Sequence, residues 1–265
     1  MSTNPLPDYS VHGHGDTTLF LLHGAFGAKE YWRAQIQAAT ATGYRVVAWD
    51  APGYGISPMP PSFSIEAAAE RCVALIRATG TDCNIVLGHS MGGMIAQRTF
   101  DYAPQAVHGL ILSATSAAFG GKGGEWQQKF VADRVAPLDA GQTIPEYAPK
   151  MIRRMMNPSI QSATVDLVID TVSLMREETF RAAIQAITEF EGRDIIPKMN
   201  EHRLPVLCVA GELDLSAAPP QVMQKLAYKI SDAEFACMQG VGHFGWAEAP
   251  DKFNHLMLDF MKRRF

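Results

Sequence analysis

A serine between closely spaced glycines is the first feature of this chain that can do chemistry. Residues Gly88 to Gly92 read Gly-His-Ser-Met-Gly, which is the G-x-S-x-G pattern. An apolar run with β character (84–87) precedes the serine, and a run with helical character (91–103) follows it. A strand, a sharp turn and a helix in this order predict that Ser90 lies on a nucleophile elbow, with its hydroxyl exposed. The flanking glycines remove the Cβ atoms that would clash in such a turn.

A serine nucleophile needs a base to take its proton and a carboxylate to orient that base. Two loops that follow apolar strand-like runs supply these groups. Asp214 ends the segment Gly-Glu-Leu-Asp, and His243 lies in Gly-Val-Gly-His-Phe after the last predicted strand. Glu212, Asp194 and Asp232 are rival acids. The chain order serine, aspartate, histidine differs from the orders found in chymotrypsin and in subtilisin.

The elements that must position these residues alternate between β and helical character. Apolar strand-like runs lie at 18–22, 45–49, 84–87, 107–112, 205–210 and 233–238. Continuous apolar strands that alternate with helices indicate an α/β fold, in which a mostly parallel sheet is covered on both faces. In such sheets functional residues collect at the carboxyl ends of the strands. The serine, the aspartate and the histidine all follow strands directly.

One long segment, residues 116–200, interrupts this alternation. It opens with a glycine-rich stretch at 120–124, where we expect a hinge, and it continues as helical segments rich in methionine. We therefore predict two parts: a core built from residues 1–115 and 201–265, and a helical lid, residues 116–200, inserted between strands.

Composition excludes several classes of partner. The 265 residues carry a formal net charge of −4, so there is no basic excess that would attract nucleic acid or an anionic membrane. Residues 1–7 lack the pattern of a signal peptide, and no apolar run is long enough to span a membrane, so we expect a cytoplasmic protein. The spacing of the four cysteines matches neither a redox pair nor a zinc site. No feature assigns an oligomeric state.

Across nearly its whole length the chain resembles the α/β-hydrolase family. The matching pieces are residues 23–27, 50–57, 88–93, 211–214, 242–243 and 248–250. Within the family the chain is most similar to lidded bacterial enzymes of the 3-oxoadipate enol-lactonase, arylesterase and bromoperoxidase-like type. Many members begin with a β-hairpin. Because only about 16 residues precede the first parallel strand here, we expect that hairpin to be shortened.

The resemblance implies a role for each site residue. Ser90 would attack a carbonyl carbon, His243 would carry the proton, and Asp214 would orient the histidine. The oxyanion hole would use the backbone N–H groups of Met91 and Ala25. Removing one such donor typically slows catalysis by an amount equivalent to about 2.7–4 kcal/mol. The resemblance implies neither a metal nor an organic cofactor.

The residues that contact the substrate are less well defined by the sequence. The candidates are Phe26, Trp126, Met151, Arg154, Met155 and Phe244. The apolar candidates in the predicted lid either line a pocket or fill the lid's own core. Arg153 and Arg154 diverge by about 100° on a helix, so at most one faces inward and the alternative is that both are solvated. An arginine near the serine would indicate an acidic substrate, whereas a wholly apolar lining would indicate a neutral one.

The leading hypothesis is a serine hydrolase that cleaves a small carboxylic ester or lactone through an acyl-serine intermediate. The resemblance excludes haloalkane dehalogenases and epoxide hydrolases, because those members of the family have Asp in the place of Ser90. A C–C hydrolase of a ring-cleavage diketone is the alternative enzyme, and cofactor-free dioxygenases share the serine–histidine pair. His89 favours ester cleavage, because C–C hydrolases more often have Asn before the serine. A ligand receptor with a retained triad and little turnover is the hypothesis from another class.

Overall fold

The sheet and its order explain why distant parts of the sequence meet at one site. A computed structural model describes residues 5–120, 124–215 and 218–265. The strands in this part of the chain are β1 (Tyr9–His12), β2 (Thr17–Leu22), β3 (Arg45–Trp49), β4 (Cys83–His89), β5 (Gly109–Ser113), β6 (Val206–Gly211) and β7 (Ala233–Met238). They form one sheet in the order β1-β3-β2-β4-β5-β6-β7.

All neighbouring strands run parallel except β1, which pairs antiparallel with β3 at the edge of the sheet. Before the parallel part, the described residues contain one four-residue strand, β1. The chain steps from β2 to β3 in one direction and then crosses to β4 on the other side of β2. Such a switch point opens a crevice at the carboxyl ends of the strands. The register pairs Leu22 with Gly88, so the loops after β2 and β4 leave the sheet side by side.

Helices cover the sheet and bury its apolar strands. Those in the described residues are α1 (Arg33–Ala41), α2 (Ile65–Thr79), α3 (Met91–Tyr102), α4 (Glu125–Asp139), α5 (Ile144–Arg153), α6 (Ala163–Ser173), α7 (Glu177–Glu189), α8 (Ile196–Glu201), α9 (Pro220–Lys229), α10 (Gly245–Glu248) and α11 (Pro250–Arg264). Helix α2 packs against α3, α1 packs against α11, and α9 packs on β6 and β7. The strands β4, β5 and β6 are almost wholly buried as a result.

The helical insert, residues 116–200, lies between β5 and β6 in the sequence and contains α4 to α7 and most of α8. Its first and last segments meet. The N–H of Gly192 donates to the carbonyl of Ala117 at 2.7 Å, and the N–H of Phe119 donates to that of Phe190 at 3.4 Å. Residues 121–123 of the predicted hinge lie outside the described residues. Among the helices that the structure describes, none has the length and apolarity of a membrane span.

Candidate active site

Ser90 occupies the turn between β4 and α3 in a strained backbone conformation. Its φ is 53° and its ψ is −118°, a region that residues other than glycine rarely adopt. Hydrogen bonds hold the turn: the N–H of Ser90 donates to the carbonyl of Ser113 at 2.8 Å, and the Thr115 hydroxyl donates to the carbonyl of Ser90 at 2.7 Å. Backbone strain of this kind persists only where the surroundings impose it, and it is concentrated at functional sites.

The two glycines of the motif are required by close backbone packing. A Cβ atom on Gly88 would overlap the carbonyl of Gly92, and a Cβ on Gly92 would overlap the carbonyl of Leu22. Both residues therefore allow the elbow to approach the strand beside it. Because Gly92 packs closely on Leu22 at the end of β2, the loop after β2 lies against Ser90.

His243 and Asp214 form a buried pair beside the elbow. Nδ1 of His243 lies 2.6 Å from Oδ2 of Asp214, and the two side chains are 1% and 0% exposed. A carboxylate accepts hydrogen bonds, so Nδ1 carries the hydrogen, and in the neutral imidazole Nε2 keeps its lone pair. The ring of His89, the residue before Ser90, has its centroid 4.8 Å from that of His243. The histidine loop therefore lies against the elbow.

The rival acids have other partners. Glu212 accepts a hydrogen bond from the N–H of Gly240 at 2.9 Å. Asp194 pairs with Arg98 at 3.2 Å, and Asp232 pairs with Arg264.

The loop after β2 presents its backbone to Ser90. A Cβ on Gly24 would lie 3.1 Å from Cβ of Ser90. Three side chains fix this loop: the Tyr31 hydroxyl accepts from the N–H of Gly24, the Tyr54 hydroxyl donates to the carbonyl of Ala25, and His23 bonds at both ring nitrogens.

His23 is held as one neutral tautomer. Its Nε2 accepts from the N–H of Ala51 at 2.9 Å, so its Nδ1 carries the hydrogen that is donated to the carbonyl of Gly24 at 2.8 Å. Burial lowers the pKa of His23 below its ordinary value. A neutral, fully bonded imidazole is suited to positioning the loop and has no free nitrogen for proton transfer.

In the part of the chain that the structure describes, two backbone N–H groups of the loops around Ser90 have no hydrogen-bond partner. Ala25 and Met91 are buried, and within the described residues neither N–H donates a hydrogen bond. Unpaired buried N–H groups are rare in folded proteins. Met91 directly follows Ser90 at the start of α3, where a helix leaves its first N–H groups free. An N–H group of this kind can donate to negative charge on a bound oxygen.

Ser90 opens into a small pocket between the core and the helical insert, with a volume of about 30 Å³. This is roughly the volume that one water molecule occupies in liquid water. The lining is mostly apolar and consists of Phe26, Met94, Ala114, Thr115, Ser116, Phe119, Phe130, Arg134, Met155, Ile184 and Ile187, together with Ser90. A substrate can enter only if the insert or its side chains move.

Two of the six candidate substrate-binding residues, Phe26 and Met155, line this pocket. Trp126 is 57% exposed and packs on the rings of Phe119 and Phe130 at one side of it. Phe244 is buried and packs on the rings of His89 and His243, on the core side of the site.

The remaining two candidates belong to α5 and the turn after it. Met151 accepts a hydrogen bond from the Tyr147 hydroxyl at 3.4 Å. Arg154 lines a separate, open groove with Lys150 and Arg153. Tertiary packing of the insert decides these positions, and the sequence of one helix does not reveal it.

The arginine that lines the pocket is Arg134, which is not among the candidates predicted from the sequence. A signal was present: Trp126, Phe130 and Arg134 recur at intervals of four residues, which places them on one face of α4. Phe130 lines the pocket, and Arg134 lies one turn further along the same face and lines it as well.

Glu248 was also missed, although its tripeptide belongs to the family pattern. Its carboxylate accepts from the N–H groups of Gly242 at 2.9 Å, Phe244 at 3.2 Å and Asn157 at 2.8 Å. Burial raises the pKa of Glu248, and these backbone hydrogen bonds oppose that shift. The residue therefore ties both sides of His243 to the helical insert.

Comparison with known proteins places the chain in a family. The sequence profile described as "Alpha/beta hydrolase family" matches residues 19–256. A protein of Mycobacterium tuberculosis that carries the name non-heme bromoperoxidase BpoC is 26% identical over 257 residues, which cover 95% of this chain and 96% of that relative.

A second relative is 2-hydroxy-6-oxononadienedioate/2-hydroxy-6-oxononatrienedioate hydrolase 1 of Dechloromonas aromatica. It is 29% identical over 267 residues, which cover 96% of this chain and 89% of that protein. The solved structure of the enol-lactonase from Burkholderia xenovorans LB400 shares the fold, with a TM-score of 0.80 at 21% identity over 96% of each chain. The chain is therefore a hydrolase-fold protein that belongs to the α/β-hydrolase family.

Proposed function

We propose that this protein is a serine hydrolase that cleaves small carboxylic esters or lactones through an acyl-serine intermediate. The observation that carries the proposal is the conjunction at one site of a strained serine, Ser90, and the buried pair of His243 and Asp214. This is the set of groups that activates a hydroxyl for attack on a carbonyl carbon.

The reaction begins when Oγ of Ser90 attacks the carbonyl carbon and its proton passes to Nε2 of His243. Asp214 accepts the Nδ1 hydrogen and stabilises the imidazolium that forms. The N–H groups of Met91 and Ala25 bind the oxyanion of the tetrahedral intermediate. His243 then protonates the leaving oxygen, and the ester C–O bond breaks. Water repeats the sequence on the acyl-serine and releases the acid.

The helical insert acts as a lid in this proposal. Its residues form one wall of the small pocket beside Ser90, so we expect turnover to include a movement of the insert that admits the substrate. The name of the enol-lactonase neighbour supports lactones among the substrates.

C–C hydrolysis is the second candidate. The name of the Dechloromonas relative, a hydrolase of oxononadienedioate compounds, favours it. The same serine site would act there on a ketone carbonyl and expel carbon in place of oxygen.

Turnover assays separate these functions. p-Nitrophenyl acetate and butyrate, a simple γ-lactone and a coloured ring-cleavage dienoate are incubated with the native protein and with Ser90→Ala. The proposal expects fast multiple turnover of esters or lactones that is lost in Ser90→Ala. Ser173→Ala is the matched control, because that hydroxyl donates to the carbonyl of Ile169 within its own helix, and it should keep full activity.

Other outcomes are equally clear. Bleaching of the dienoate without ester or lactone hydrolysis would replace the proposal with the C–C hydrolase. A single stoichiometric burst would indicate a receptor with a retained triad, and ester turnover that survives in Ser90→Ala would rule out Ser90 as the nucleophile.

A further inference from the structure

A charged residue, Arg134, stands in the wall of a mostly apolar pocket. Arg134 lies on α4, and it lines the small pocket that also holds Ser90. The other walls near it are hydrocarbon or aromatic, including Met94, Ile184 and Ile187. Such a lining would suit a neutral substrate, and the arginine is the exception that requires a physical explanation.

The protein does not neutralise this charge within the described residues. The guanidinium carbon lies 3.3 Å from the centroid of the Phe130 ring, and Nη1 donates to the Phe130 carbonyl at 3.3 Å. No acidic side chain in the described ranges forms an ion pair with it. The adjacent acid, Asp133, is paired with Lys129 at 2.8 Å. Burial lowers the pKa of Arg134, yet an arginine stays charged at neutral pH.

A half-buried cation without a counter-charge is unfavourable unless a ligand supplies one. The planar guanidinium matches a carboxylate, with which it forms paired, charge-assisted hydrogen bonds. Its stacking on Phe130 restricts its orientation, so less side-chain freedom is lost when it binds. Arg134 and Ser90 line the same pocket, and its mostly apolar lining suits a short hydrocarbon segment.

We propose that the substrate is a small ester or lactone with a carboxylate at its non-reacting end, and that Arg134 binds this carboxylate. This inference rests on the proposed function, since it names the substrate class of the same serine site. Half-esters of short dicarboxylic acids and lactones that bear a carboxylate share the required chemistry. The carboxylate is a spectator: Oγ of Ser90 still displaces the ester oxygen, and water then releases the acid from the acyl-serine.

The test uses a pair of substrates that differ only in charge. The mono-p-nitrophenyl ester of glutaric acid has a free carboxylate, and its methyl ester is the neutral counterpart. The native protein is expected to prefer the acid by about 10- to 100-fold in kcat/KM, the range of one or two charge-assisted hydrogen bonds. Arg134→Met should remove this preference. Arg134→Lys should keep part of the preference.

Arg154→Met is the matched control, because Arg154 lines another groove, and it should leave the preference unchanged. Equal activity of the native protein on both esters, or a preference that survives in Arg134→Met, would overturn the inference. If both esters are cleaved equally in a Ser90-dependent way, the inference fails while the proposed function stands.

A binding measurement keeps the inference testable without turnover. Calorimetry on Ser90→Ala should detect monomethyl glutarate and show at least about tenfold weaker binding of dimethyl glutarate. The added Arg134→Met change should abolish that difference. Equal binding of both compounds to Ser90→Ala would overturn the inference even where no ester is hydrolysed.

Discussion

The carboxylate of Asp214 accepts the Nδ1 hydrogen of His243 across 2.6 Å in a fully buried environment. The rival acids Glu212, Asp194 and Asp232 have other partners. We therefore predict that Asp214 alone orients the imidazole of His243. Asp214→Asn should lower kcat by about 10⁴-fold, because an amide favours the wrong tautomer of the histidine. Initial rates with the best ester substrate measure the effect. Glu212→Gln, in the same loop but exposed, is the control and should be near normal; the reverse result would reassign the acid.

Glu248 should stabilise the fold through its three backbone hydrogen bonds. Glu248→Ala leaves the N–H groups of Gly242, Phe244 and Asn157 without their acceptor. We expect the free energy of unfolding to fall by about 2–4 kcal/mol, since hydrogen bonds to a charged group contribute about 1.5–3 kcal/mol. Urea unfolding measures it. Asp251→Ala, on the exposed first turn of α11, should change the value by less than about 0.5 kcal/mol. Similar losses in both variants would contradict this role.

Buried neutral histidines should make the protein sensitive to acid. Burial lowers the pKa of both His23 and His89, and the neighbouring His243 lowers that of His89 further. Below pH 6.5 the unfolded chain binds protons at these histidines before the folded chain does, so stability falls as the pH falls.

Each of these histidines should contribute a loss of up to about 1.4 kcal/mol per pH unit below 6.5. Urea unfolding between pH 7.5 and pH 5.5 measures the slope. His89→Gln should flatten it, and His255→Gln, an exposed position, should not. A slope that is unchanged in His89→Gln would argue against a neutral His89.

Lys29 should stabilise the protein through a buried partner. Its Nζ lies 2.5 Å from Asp50, which is 1% exposed, and 2.6 Å from Asp8. Lys29→Met should lower the free energy of unfolding by about 2–3 kcal/mol. That is below the 3–5 kcal/mol of a fully buried pair, because the lysine is 18% exposed and its own N–H still donates to Asp50.

The exposed pair of Lys129 and Asp133 provides the comparison. Lys129→Met should cost less than about 0.5 kcal/mol. Urea or thermal unfolding of Lys29→Met and Lys129→Met measures the loss of stability in each variant. Equal losses would show that the burial of Asp50 does not strengthen its ion pair.

The sequence predicted the sheet, the family and the loops around Ser90 because each of these depends on local signals. Strand-like runs end at polar or glycine residues, and the register of a parallel sheet then brings their carboxyl ends together. Arg134 escaped prediction for a different reason. The sequence of a helix in the insert allows more than one of its faces to be buried. Only the packing of the insert decides which face lines the pocket. Arg154 is one of an adjacent pair of arginines, which made it a candidate, yet it lines another groove.

The backbone and the side chain of Met155 have different roles. Its carbonyl accepts the hydrogen bond of the His243 N–H at 2.8 Å, while its side chain forms part of the pocket wall. Every amino acid has the carbonyl, so an exchange of side chain at position 155 alters the cavity and leaves the histidine tethered. Position 155 is therefore a place where variation can change which molecules fit while the reacting groups stay aligned. A library confined to this codon, with proline omitted because the Met155 N–H donates to Ile152, is the shortest route to new selectivities on this scaffold.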